Sequence, residues 1–122
     1  MQLPSPRRLA APLLALPVIA AAPAQAHAII VAAEPAVDAV LPAPSVPVRL
    51  RFNSRIDAGR SRLILMGPDG SSQPLPLAAS GSPDTLAAAI EGLAPGRYRL
   101  RWQVLAVDGH ITRGDIPFSI AP

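Results

Sequence analysis

The chain has 122 residues, with 11 arginines against 8 acids, no lysine and no cysteine. Without thiols it has no disulfide, no thiolate metal site and no cysteine nucleophile, so an exported domain of this size must hold together by packing, or by packing and a bound metal. The formal charge of +3 is not gathered into any long basic run, which argues against nucleic acid as a partner.

The first segment reads as an address. Arg7 and Arg8 precede an apolar stretch, Leu9 to Ala22, and Ala24-Gln25-Ala26 supplies the small-x-small pattern after which signal peptidase cuts. The stretch is too short and wrongly flanked to span a bilayer, and no later segment is apolar enough to do so. Residues 1–26 are therefore expected to be a cleaved secretory signal peptide and residues 27–122 one exported domain, not membrane-spanning. Cleavage removes two arginines and leaves nine against eight acids.

His27 to Ala33 is short and apolar and reads as the first strand, ended by Glu34-Pro35 because proline cannot donate to a ladder. A proline-rich connection, Pro35 to Pro47, follows. Val48-Arg49-Leu50-Arg51-Phe52 alternates and is the second strand; Asn53 to Gly59 is polar and reads as a loop. Ser61 to Met66 is the next strand, closed by the turn signal Gly67-Pro68-Asp69-Gly70. Gln73 to Leu77 reads as a short edge strand, since Pro74 and Pro76 keep it from a sheet centre. Thr85 to Ile90 fits strand or helix by periodicity.

Leu93-Ala94-Pro95-Gly96 turns the chain into its most regular stretch. Tyr98, Leu100, Trp102 and Val104 alternate with Arg97, Arg99, Arg101 and Gln103, the signature of a strand with one buried and one wet face. The pattern ends at Leu105-Ala106-Val107, and Asp108-Gly109-His110 follows. Ile111 to Gly114 reads as a crossing segment, and Asp115 to Ile120 as the closing strand. About seven short strands with regularly spaced turn signals predict an all-β, immunoglobulin-like or cupredoxin-like Greek-key sandwich or barrel.

The exported domain has two histidines. A lone histidine in a small β domain is ordinarily a hydrogen-bonded surface residue, but cleavage after Ala26 would make His27 the first residue. A terminal histidine offers its α-amine, which ordinarily titrates near about 8, and ring Nδ1 to one metal ion. Asp108 and His110, two apart, share a face in extended chain, with Gly109 giving room. Three nitrogens and one carboxylate oxygen suit Cu(II) at tetragonal geometry, and zinc accepts the same donors tetrahedrally. Trp102 reads as core near this site. Thr112 and Asp115 are candidates to orient the imidazole, although turn hydrogen bonding is the plainer role. Arg99 and Arg101 read as a solvated face or a docking surface.

These residues carry a family resemblance. His27-Ala28, Glu34-Pro35-Ala36, Val48 to Phe52, Gly67 to Gly70, Leu93 to Tyr98, Trp102 and Val107-Asp108-Gly109-His110, with Gly114 and Phe118, resemble the CopC copper-resistance proteins over nearly the whole exported length. The resemblance implies a periplasmic Cu(II) binder with metal ligands His27, Asp108 and His110. It also implies a monomer that carries or buffers copper and passes it to a CopD-type inner-membrane protein. Two features depart from the family pattern. Some members place a glutamate near the copper just after the Leu-x-Phe strand, where this chain has Ser54. The exported domain also has a single methionine, Met66, so no thioether Cu(I) site is expected. The competing functions are a copper-dependent oxidative enzyme built on a terminal histidine, and a metal-free sandwich used for protein contacts. One tyrosine and one tryptophan offer little surface for stacking on a glycan, so a non-enzymatic binder is the expectation.

Overall fold

The alternation of the arginine-rich stretch is kept in the computed structural model, which describes residues 2–6, 12, 28–42 and 44–122. Among these there are eight strands and no helix: β1 (Ile30–Glu34), β2 (Ala39–Leu41), β3 (Val46–Phe52), β4 (Ile56–Met66), β5 (Ser72–Pro74), β6 (Thr85–Ile90), β7 (Gly96–Ala106) and β8 (Ile111–Ile120). They form a three-stranded sheet in the order β1-β3-β6 and a five-stranded sheet in the order β2-β8-β7-β4-β5. Residues 7–11 and 13–27, which hold most of the expected leader and His27, lie outside the described residues.

The two sheets bury their apolar sides against each other. Val46, Val48, Leu50 and Phe52 of β3 and Leu86, Ala88 and Ile90 of β6 meet Leu63 and Leu65 of β4, Leu100, Trp102 and Val104 of β7, and Ile116, Phe118 and Ile120 of β8. Each set keeps the two-residue period, so one face of each of these five strands supplies the core. Phe52 meets Trp102 edge-on with ring centroids 5.3 Å apart, joining the sheets at one end. Tyr98 stacks on Phe118 at 5.6 Å nearer the other. The all-β sandwich expected from the alternation is thus the fold observed.

The element boundaries differ from the sequence-based expectation in several places, four of them substantial. The proline-rich connection contains β2, which runs parallel to β8 and pairs Ala39 with Phe118 and Leu41 with Ile120. Three residues are too few to show a period, so this strand exists only through its partner. The next strand starts at Ile56 instead of Ser61, because the register shifts between Asp57 and Arg62 and the bulge interrupts the alternation with an exposed polar run. The expected edge strand at Gln73 to Leu77 is instead Ser72–Pro74, paired with the end of β4. Finally, residues 111–114 do not cross over: β7 and β8 pair without a break from Gly96↔Ile120 to Leu105↔Ile111. The usual polarity is inverted there, with Ile111 and Arg113 outward and Thr112 and Gly114 turned in, so the sequence pattern pointed the wrong way. The ambiguity at Thr85–Ile90 resolves as strand, paired along its length with β3.

Three segments meet at one end of the sandwich: the start of β1, the β3–β4 loop and the β7–β8 hairpin. Asn53 bonds to Ile29, Ile56 pairs with Ala106, and the Val107 N–H donates to the Arg55 carbonyl at 3.4 Å.

Candidate metal centre

The β7–β8 hairpin holds Asp108 and His110 in its turn. The Gly109 N–H donates to the Ala106 carbonyl at 2.9 Å, and Ala106 N–H donates to the His110 carbonyl at 2.9 Å. Gly109 has φ of 87°, the left-handed region that glycine enters without a Cβ penalty. Asp108 and His110 therefore share a side of a tight turn and do not lie along an extended strand.

Both carboxylate oxygens of Asp108 face His110. Oδ1 accepts from the His110 backbone N–H at 3.1 Å, and Oδ2 lies 2.7 Å from ring Nδ1. The His110 side chain is 63 % exposed and that of Asp108 26 %. Hydrogen bonds from the His110 ring and backbone hold the Asp108 carboxyl below the ordinary carboxylate value, against a smaller opposing effect of desolvation. The pair is thus an anion and an imidazole locked at short range near solvent. The 2.7 Å contact is a hydrogen bond between ring and carboxylate, and it keeps a nitrogen and an oxygen of types that metal ions take next to each other.

The chain reaches this pole at Ala28, which is fully buried. The next residue is fixed by Asn53: Ile29 N–H donates to Asn53 Oδ1 at 2.9 Å, and Asn53 N–H donates to the Ile29 carbonyl at 2.9 Å. The β3–β4 loop thus links the start of β1 to the hairpin. His27, the third ligand expected from the sequence, lies outside the described residues. Among the described residues no third histidine or carboxylate joins Asp108 and His110.

Sequence reasoning passed over Asn53 as an ordinary loop residue; its only signal was an amide directly after a core strand. Two other polar groups belong to the same end. Ser54 Oγ and Thr112 Oγ1 are buried with no hydrogen-bond partner among the described residues, an arrangement that calls for a further polar group or water nearby. Ser54 occupies the position where the family resemblance places a glutamate in some members. The contacts of Asp115 are with arginines. It lies on the opposite face of β8, where it accepts from Arg101 Nε at 3.0 Å and pairs with Arg99 at 3.5 Å. Trp102 is core, 7 % exposed, with its ring over Gly114.

Two sheets packed face to face, with no helix among the described residues and a carboxylate–imidazole hairpin at one end, define the class: an all-β sandwich domain. Residues 30–121 match the family model described as the CopC domain, and the chain belongs to the CopC family. It is 30 % identical over 98 residues to Protein YobA of Escherichia coli K12, covering 78 % of this chain and 79 % of that protein. It is 28 % identical over 110 residues to Copper resistance protein C of Xanthomonas campestris pv. juglandis, covering 84 % and 86 %. The crystal structure of CopC from Methylosinus trichosporium OB3b superposes with a TM-score of 0.70 at 26 % identity, covering 79 % of this chain and 95 % of that one. PcoC from Escherichia coli, titled a methionine-rich copper resistance protein, shares the fold with a TM-score of 0.64 at 24 % identity, covering 77 % and 98 %.

Proposed function

We propose that this chain is a periplasmic Cu(II)-binding protein of copper resistance and homeostasis. In this reading the leader is removed after Ala26, and the new terminus supplies its amine and the His27 ring to the ion. His110 adds an imidazole nitrogen and Asp108 a carboxylate oxygen. The protein acts as a monomeric carrier or buffer, not as an enzyme, and hands copper to a CopD-type inner-membrane protein. The observation that carries this is the 2.7 Å contact of Asp108 with His110 at the end of the sandwich where Ala28 enters. Membership of the CopC family and the name of the Xanthomonas relative support the choice of copper. With nitrogen and oxygen donors and no thiolate, the set favours Cu(II) over Cu(I).

The test uses the exported protein, with its first residue confirmed by N-terminal sequencing, titrated with Cu(II) and followed by EPR. One tetragonal Cu(II) per chain is expected. A single extra residue before His27 turns the terminal amine into an amide and should weaken binding at least about tenfold. Unchanged affinity in the extended form defeats the reading.

A further inference from the structure

The five-stranded sheet carries its charge on one side. Outward positions of β4, β7 and β8 hold Arg62, Arg97, Arg99, Arg101 and Arg113. Asp115 is the carboxylate among them, shared by Arg101 at 3.0 Å and Arg99 at 3.5 Å. Asp57, at the bulge, is matched by Arg60 at 3.8 Å. Arg62 and Arg113 both flank Gln103, whose Oε1 accepts from Arg113 Nε at 2.8 Å, so guanidinium, amide and guanidinium form one row across three strands. Arg62 and Arg97 have no carboxylate partner among the described residues. Asp38 lines the same surface cavity as Arg97 and Arg99 at the far end and tempers the charge there. The rest of the exported domain is acidic on balance, so the field is directional.

The same side ends in exposed apolar residues at the hairpin. Ile111, outward on β8, is 53 % exposed, and Val107 in the turn is 69 % exposed. The centre of the face offers no aromatic anchor of the kind that dominates protein interfaces. A flat field of guanidiniums bordered by an apolar tip is the pattern of a surface that rests on a charged bilayer, with cations at phosphates and the tip at the acyl boundary.

We propose that this face docks the protein onto anionic phospholipid. The Arg62–Gln103–Arg113 row engages headgroup phosphates, and Val107 and Ile111 seat at the interface. This orientation brings the Asp108–His110 hairpin to the bilayer surface, and it does not depend on whether that hairpin binds metal.

The experiment is co-sedimentation of the exported protein, in EDTA, with vesicles of phosphatidylglycerol and phosphatidylethanolamine, against vesicles of phosphatidylcholine. Binding to the anionic vesicles alone is expected, abolished at about 1 M salt, where the screening length falls to about 3 Å. The double variant Arg62→Glu/Arg113→Glu should weaken binding at least about tenfold, and Ile111→Ser should weaken it several-fold. Arg49→Glu/Arg51→Glu, on the opposite sheet, carries the same charge change and should leave most of the binding. Equal binding to both vesicle types, or equal loss in the two double variants, overturns the proposal. Binding of soluble polyglutamate with no binding to anionic vesicles also overturns it, and assigns the face to an acidic protein instead. Circular dichroism of each variant separates lost docking from lost folding.

Discussion

Ile29 and Asn53 exchange two hydrogen bonds, one through the asparagine side chain and one through its backbone, each at 2.9 Å. This pair joins the first residues of the described sandwich to the loop that supports the Asp108–His110 hairpin. Asn53→Ala removes the side-chain acceptor and leaves the Ile29 N–H to water, which should cost about 1 kcal/mol in urea unfolding. Because Ile29 sits two residues after His27, the same variant should lower Cu(II) affinity. Asn53→Asp keeps an oxygen at the same place and should restore both. A loss of copper affinity that Asp fails to rescue would show that Asn53 acts otherwise than by holding the terminus.

Asp108→Asn separates charge from shape. The amide oxygen still accepts from the His110 N–H, so the turn keeps its hydrogen bond, but the anion is gone. Cu(II) affinity should fall at least about tenfold, because the ion loses its charged oxygen donor. The urea midpoint should barely move, because the pair sits in a surface turn near solvent. Isothermal titration beside equilibrium unfolding reads both quantities. A large drop in stability with unchanged affinity would make the pair a fold element instead of a metal site.

Gly114 is set by Trp102. A Cβ at position 114 would lie 2.5 Å from Trp102 Cζ2, closer than carbon atoms approach, and the indole is held on its other side by the core. Gly114→Ala should therefore destabilise the domain by about 1–3 kcal/mol through overpacking. The near-ultraviolet circular dichroism of the single tryptophan should change with it. A silent substitution would mean that the indole has room the packing does not reveal.

The Arg101–Asp115 contact gives a pH dependence of known sign. The hydrogen bond from Arg101, with the charges of Arg101 and Arg99, holds the Asp115 carboxyl below its ordinary value of 3.8, with partial burial opposing. A lowered folded-state pKa stabilises the fold above the ordinary value, and that contribution is lost as the pH falls through the folded value. Asp115→Asn should thus melt lower than the parent at pH 7, and the gap should close in acid below pH 3.8. The effect is small because the groups are well exposed. Thermal melts at neutral and acid pH read it directly, and a gap that widened in acid would contradict this account.

Local alternation was enough to assign which residues face inward along Val48 to Phe52, Tyr98 to Val104 and Ile116 to Ile120. Val48 to Phe52 and Tyr98 to Val104 alternate so cleanly that their buried sides, and with them the sandwich, were legible at once. Asp108 and His110 were legible as candidate ligands because they are close in sequence, and the hairpin does bring them into contact. Periodicity failed where alternation was too short or inverted, as in β2 and at Ile111 to Gly114. It reports the face a residue takes on its own strand, not which strands become neighbours. The folded arrangement was needed to show that Asn53 holds the start of β1 beside the hairpin, that Asp115 pairs with Arg101, and that arginines from β4, β7 and β8 share one face. Each of these depends on pairing between segments far apart in the chain. Such pairing follows from how the whole core closes, which no local stretch of sequence specifies.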